Sequence, residues 1–233
     1  MDVLTAARLQ MEVSLGFHMI SVITPVLLGM CLGAVSSGEI VIDASGVSAA
    51  GRAPAWLSPV SLLIGGLALA ICAYIAAVFL ANETTGELRE DFRTRALLAG
   101  TAVVALSAAA LPAVRAHSPH LWRGLIGGSA MPVFAAGVLA ALLSGWWLRG
   151  RRYRLARISS VAQVACLLAG WSIAQSPYII YPALTLSEAA APHTTLQFIL
   201  WSTPAGMALV IPSLWLLFRV FKAEHFSLGG DGS

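Results

Sequence analysis

The sequence predicts an all-α integral membrane protein, a bundle of about six transmembrane helices with both termini in the cytoplasm. Three observations lead to this fold class. The 233 residues are 58% hydrophobic and 11% charged, whereas soluble domains are about 25% charged. The apolar residues form long stretches, and about 20 of them are needed to cross a bilayer core as a helix. The basic residues lie in loops and at the ends, mostly on one predicted side of the membrane.

Six spans follow one another along the chain. They are Val13–Val35, Leu57–Ala81, Ala96–Val114, Leu125–Leu148, Leu155–Ala174 and Leu196–Phe221. The last five contain no Asp, Glu, Lys or His, which favours helices that pack over helices that move ions. Because the connections are short, we expect successive helices to be antiparallel.

Small residues in the first two spans predict close helix packing. Gly29 and Gly33 form a GxxxG pair in the first span, and Gly66 begins a row of small residues at helical spacing in the second. Such rows let two membrane helices bring their backbones together. Prolines interrupt the first span at Pro25 and the last at Pro204 and Pro212, which membrane helices tolerate.

The loop from Gln175 to Pro192 is unusually apolar for a connection. It reads QSPYIIYPALTLSEAAAP, and Glu188 is its only charge. An exposed apolar segment usually lies against something. The sequence leaves two alternatives open, contact with a partner and packing on the chain's own helices.

The distribution of Lys and Arg predicts the orientation. Eleven of the 14 lie on one predicted side, and the Arg149–Arg157 connection alone carries five of them. Cytoplasmic loops of membrane proteins carry an excess of Lys and Arg. We therefore expect both termini and this connection to be cytoplasmic, and the Gln175–Pro192 loop to lie outside.

Several stretches resemble subunit II of cytochrome bd-type quinol oxidases. They are SVITPVLLGMCLGAVSSG, WLSPVSLLIGGLALAICAYIAAVFLANETTGELREDFRTRAL, WSIAQSPYIIYPALTLSEAAAP and IPSLWLLFRVFK. The resemblance starts near Ser21 and keeps its order to Phe226, which makes residues 21–233 a subunit II-like transmembrane domain. It begins at about the fourth helix of the family, so we expect the earlier helices, and the proton-delivery role discussed for them, not to be represented here.

Residues 1–20 resemble a different subunit. The run MDVLTAARLQMEVSLGFHMI is similar to the start of subunit I, and the ARLQ run and the GFH triplet carry that likeness. The resemblance matches His18 with an axial haem ligand, which makes His18 a candidate haem b ligand. A natural fusion, a gene deletion and an assembly artefact each explain such a join.

The predicted topology argues against haem binding by His18. With the N-terminus inside, His18 lies about 8 Å from the cytoplasmic end of its span, whereas the haems of subunit I lie towards the outer face. The likeness to subunit I extends over only about one helix, which cannot supply a haem pocket. We therefore expect no cofactor on the isolated chain. The alternative to a ligand role is a histidine that points into the bundle or binds water at the interface.

His117 and His120 are the other candidate ligands. Their i, i+3 spacing suits a metal ion, but neither a carboxylate nor a cysteine accompanies them. We expect both in a solvated outer loop.

The resemblance implies a function. The chain is expected to be a structural subunit of a bd-type quinol:oxygen oxidoreductase in the bacterial cytoplasmic membrane. Its partners would be the lipid bilayer and subunit I, which carries haem b and haem d, and quinol would be the substrate of the complex. No nucleic-acid partner is expected. The alternatives are a small transporter or exporter and a non-functional truncated remnant. Transporters place polar groups near the midplane, and the last five spans offer few.

Overall fold

The structure, a computed structural model, describes the backbone of residues 3–43, 46–49 and 54–227 and the side chains of residues 19–42, 54–217 and 219. The chain divides into two compact units, Met1–Glu188 and Ala189–Ser233. The elements in order are α1 (Val3–Ser37), β1 (Ile40–Asp43), β2 (Gly46–Ala49), a 3₁₀ helix (Ala55–Leu57), α2 (Pro59–Glu83), α3 (Gly86–His117), α4 (Pro119–Gly127), α5 (Met131–Arg149), α6 (Tyr153–Gln175), β3 (Tyr178–Ile180), β4 (Leu184–Thr185) and α7 (His193–Ser227). The first unit contains α1 to α6 with both hairpins, and α7 forms the second.

The six-span, all-α membrane fold is confirmed. The helices long and apolar enough to cross a membrane cover Met19–Ser37, Pro59–Glu83, Gly86–His117, Met131–Arg149, Tyr153–Gln175 and His193–Leu217. The cytoplasmic location of the termini stays a prediction.

Two predicted boundaries were wrong. The fourth span begins at Met131 and not at Leu125, because residues 119–127 form the separate short helix α4 with Pro119 in its first turn. Helix α3 begins at Gly86, ten residues before the predicted Ala96. Ion pairs one helical turn apart, such as Arg95 with Asp91 at 2.8 Å, stabilise this charged first part of α3.

The close backbone approach predicted for Gly29 and Gly33 is confirmed, and the helix they approach is α2. The predicted row of small residues that begins at Gly66 does not face α1, since a Cβ atom added at Gly66 would meet only the Leu106 side chain of α3, at 4.0 Å. A Cβ atom added at Gly29 would lie 2.7 Å from the Ile64 carbonyl oxygen, and one added at Gly33 would lie 2.6 Å from the Ser61 Cα. A Cβ atom added at Gly65 of α2 would likewise lie 2.8 Å from the Val26 carbonyl oxygen of α1. A side chain at any of these positions would push the two helices apart.

The centre of the first unit is formed by α2, α3, α5 and α6. Tyr74, Val78, Val103, Leu148 and Ala156 are buried together there. A second buried cluster lies near the opposite end of α6. It includes Val60, Val114, Leu121, Ala130 and Ala174.

Two antiparallel hairpins, which the sequence did not predict, lie in the connections. Strand β1 pairs with β2 between α1 and α2, with Ile40 opposite Ala49. Strand β3 pairs with β4 after α6, with Tyr178 opposite Thr185. The second hairpin folds the apolar loop back onto the chain, since the Tyr181 backbone N–H donates to the Val35 carbonyl of α1 at 3.0 Å. Of the two alternatives for this loop, its hairpin part therefore packs on its own helices.

Candidate functional site

His18 lies within α1, and its side chain falls outside the described residues. Its backbone position is informative. His18 is 19 residues before Ser37, the last residue of α1, which corresponds to about 28 Å at helical rise. A bilayer core is about 30 Å thick. His18 thus lies near the membrane edge opposite the Ser37 end. In the part of the chain that the structure describes, no three His, Cys, Asp or Glu side chains are grouped to hold a metal ion.

Polar side chains inside the spans bond from helix to helix. The Tyr74 hydroxyl of α2 donates to Ser144 Oγ of α5 at 2.6 Å, and that hydroxyl donates to the Ala156 carbonyl of α6 at 2.9 Å. One hydrogen-bonded chain therefore joins three helices. In a bilayer, each of these two hydrogen bonds satisfies polar groups that would otherwise lack a partner.

An ionic cluster ties the start of α3 to the turn between α5 and α6. The Glu90 carboxylate accepts hydrogen bonds from Arg93 at 2.9 Å, from Arg151 at 3.4 Å and from the Tyr153 hydroxyl at 3.2 Å. The Arg89 guanidinium lies over the Tyr153 ring, 5.0 Å from its centroid. Exposed pairs of this kind contribute little singly, but a network of several fixes the geometry of the turn.

The other end of the bundle has its own polar contacts. Gln175 at the end of α6 donates through Nε2 to the Val35 carbonyl at 3.2 Å. Trp171 donates through Nε1 to Ser36 Oγ at 3.1 Å. Both bonds join α6 to the last turn of α1, beside the β3–β4 hairpin.

The expectation of a solvated His120 was wrong. The His120 ring stacks on the Tyr181 ring with centroids 4.5 Å apart, and it meets the Tyr178 ring edge-on at 5.2 Å. Its Nε2 atom is buried and without a hydrogen-bond partner among the described residues. His117 is exposed, and its Nδ1 lies 3.1 Å from the Ala113 carbonyl oxygen. The hairpin residues that cover His120 come from a distant part of the chain, and among the described residues neither histidine belongs to a group of three that could hold a metal ion.

A lateral groove is a further feature that the sequence did not indicate. It lies between α3 and α5, has α2 and α6 as its floor and encloses about 390 Å³. Most of its lining is apolar, and the polar lining residues are Tyr74, Thr101, Arg149 and Gln163. Gln163 is buried in the floor, and its Oε1 atom has no donor among the described residues. Among the described residues, no carboxylate lines the groove.

A sequence model of the family described as cytochrome bd terminal oxidase subunit II matches residues 5–221. The chain belongs to the cytochrome bd terminal oxidase subunit II family. This match also covers most of residues 1–20, for which the sequence suggested a likeness to subunit I.

A solved structure of a bd oxidase, from Geobacillus thermodenitrificans, has the same fold in one of its chains. The TM-score is 0.65 at 24% identity, over 89% of the present chain. The present chain spans 63% of the length of that chain. No curated protein matches the sequence. In this member of the bd oxidase subunit II family, the described residues therefore form hydrogen bonds and ion pairs that join helices, and they line one lateral groove between α3 and α5.

Proposed function

We propose that the chain is a structural subunit II-like component of a bd-type quinol:oxygen oxidoreductase in the bacterial cytoplasmic membrane. The observation that carries the proposal is the family match over residues 5–221. The partner is the haem-bearing subunit I, which holds haem b and haem d, and quinol is the substrate of the complex. The role of this chain is to present a preformed helical surface to that partner.

The contacts inside the first unit support a scaffold role. Helices α1 and α2 interlock through glycines, which leaves little freedom to slide. The bonds from Tyr74 to Ser144 and from Gln175 to the Val35 carbonyl use polar groups to join helices. Side chains engaged in this way stabilise a fixed arrangement, which suits a subunit that packs against a catalytic one.

Co-expression tests the assembly. An affinity tag on this chain should co-purify a bd-type subunit I in a one-to-one complex that shows haem spectra and quinol-dependent oxygen uptake. Subunit I expressed alone is the control. Equal haem content and equal oxygen uptake in the presence and absence of this chain would overturn the proposal.

His18 is the one residue for which the resemblance proposes a cofactor contact. We propose that it does not hold haem in the isolated chain, because a haem site also needs a shaped pocket and supporting hydrogen bonds. A pyridine haemochrome assay on the purified chain should detect little or no haem b, with the same result for His18→Ala. Stoichiometric haem in the first protein and its loss in the second would make His18 a ligand and contradict the scaffold role.

A further inference from the structure

The groove between α3 and α5 offers an elongated apolar surface to a hydrocarbon chain. Along α5 its lining runs from Arg149 back to Ala141, eight residues or about 12 Å at helical rise. Gly100 of α3 and Gly145 of α5 lack side chains and widen it. The rim is apolar and open to the side, since Val104 and Leu142 are 61% and 64% exposed.

A positive charge lies at one end of the groove. Arg149 is the last residue of α5, where the helix ends at the membrane interface. Its guanidinium turns back towards the groove, 3.8 Å from the position that a Cβ atom on Gly145 would occupy. Among the described residues Arg149 forms no ion pair, whereas Arg93, Arg95, Arg151 and Arg157 each contact a carboxylate. The charge at the mouth is therefore available to an anion outside the chain.

We propose that this groove binds one acyl chain of an anionic membrane phospholipid and that the lipid phosphate contacts the Arg149 guanidinium. An apolar channel with a cation at its interfacial end is complementary to an amphiphile with a negative headgroup. Basic pockets between transmembrane helices recognise anionic lipids by the same complementarity. The acyl chain covers the buried apolar lining residues Ala96, Val103 and Leu148 on the two sides of the groove.

Gln163 provides a way to tell this lipid from a quinol. Its Oε1 atom lies in the floor, and Gln163 is ten residues, or about 15 Å, beyond the start of α6. A quinol hydroxyl would donate to that oxygen, whereas an acyl chain has nothing to donate. The phospholipid therefore does not depend on Gln163, and a quinol would.

Native mass spectrometry of the 233-residue chain in detergent tests the proposal without subunit I, so the outcome is independent of the proposed oxidase function. The probes are dioleoyl phosphatidylglycerol, dioleoyl phosphatidylcholine and inorganic phosphate. We expect retention of phosphatidylglycerol over phosphatidylcholine, and no adduct with phosphate alone. Arg149→Gln should reduce phosphatidylglycerol retention about fivefold, the factor for loss of one Arg contact with an anionic headgroup. Arg154→Gln is the matched control, since Arg154 is exposed on the same side and outside the groove lining.

A second pair of variants tests the groove itself. Ala141→Leu fills the groove and should reduce retention of both lipids, whereas Ala136→Leu, on an exposed part of α5 outside the lining, should not. Gln163→Leu should leave phosphatidylglycerol binding unchanged. Equal retention in Arg149→Gln and the parent protein would overturn the headgroup contact, and equal retention in Ala141→Leu would overturn the acyl-chain site. Binding of phosphate alone, or a co-purified quinone that is lost in Gln163→Leu, would also overturn the proposal.

Discussion

Alanine substitutions at two adjacent glycines of α2 should differ sharply in stability. A Cβ atom at Gly65 would lie 2.8 Å from the Val26 carbonyl oxygen and 2.7 Å from Met30 Cγ, both on α1. A Cβ atom at Gly66 would meet only the Leu106 methyl groups, at 4.0 Å. The two residues lie in the same helix and the substitution is the same. Any difference between the variants therefore reports the packing of α1 on α2.

The expected magnitude follows from these distances. Replacing Gly by Ala inside a helix gains about 1 kcal/mol of propensity, and this gain cancels between the two variants. At Gly65 the Met30 side chain can move, but the Val26 oxygen belongs to a backbone. The distance between the added Cβ atom and the Val26 oxygen must rise from 2.8 Å to the 3.4 Å of an ordinary contact, so the helices must separate by about 0.6 Å. A gap of about 0.5–1 Å forfeits a quarter to a half of each dispersion contact. Gly65→Ala should therefore be about 1–3 kcal/mol less stable than Gly66→Ala, the usual cost of overpacking.

Thermal unfolding in a mild detergent, followed by size-exclusion chromatography, measures the difference. At about 2–4 °C per kcal/mol for a chain of this size, Gly65→Ala should have a Tm about 2–12 °C below that of Gly66→Ala. Equal Tm values, or a higher Tm for Gly65→Ala, would refute the close approach of α1 and α2.

Three further predictions concern other parts of the chain. Tyr74→Phe removes the 2.6 Å hydrogen bond to Ser144 and should reduce the free energy of unfolding by about 0.5–1.5 kcal/mol; unchanged unfolding would contradict that bond. Hydrogen bonds from the Thr185 hydroxyl and backbone N–H hold the pKa of Glu188 below its ordinary 4.5. Because the folded pKa is the lower one, this contact stabilises the turn above the unfolded pKa and is lost as pH falls through the folded pKa. The NMR chemical shift of the Thr185 amide should change with pH as Glu188 titrates, and it should not depend on pH in Glu188→Gln. A titration midpoint above 4.5 would contradict the lowered pKa. A topology reporter fused after Ser187 should give an external signal, and a cytoplasmic signal would overturn the orientation.

The sequence by itself determined that the chain lies in a bilayer, that it has six spans and that α1 can closely approach another helix at Gly29 and Gly33. Hydrophobic length is a local property, so the six spans were recognisable before any packing was known. The close approach at Gly29 and Gly33 was also readable, because a repeat of four residues places both glycines on one face of α1. The short helix α4 was missed because its first six residues, with His120 and Arg123 among them, are typical of a loop, whereas its last three, from Leu125, are apolar and adjoin the next span.

Only the tertiary structure decided which polar groups meet. Gln175 and Val35 are 140 residues apart, and Tyr74 and Ser144 are 70 apart, so no local pattern could pair them. The residues around His120 in the sequence are typical of a solvated loop. In the structure, Tyr181 of a hairpin some 60 residues later stacks on the His120 ring. The groove at Arg149 likewise exists only because α3 and α5 lie apart on a floor of α2 and α6. Hydropathy and the periodicity of residue types describe one helix at a time. These contacts depend instead on how helices distant in sequence lie side by side.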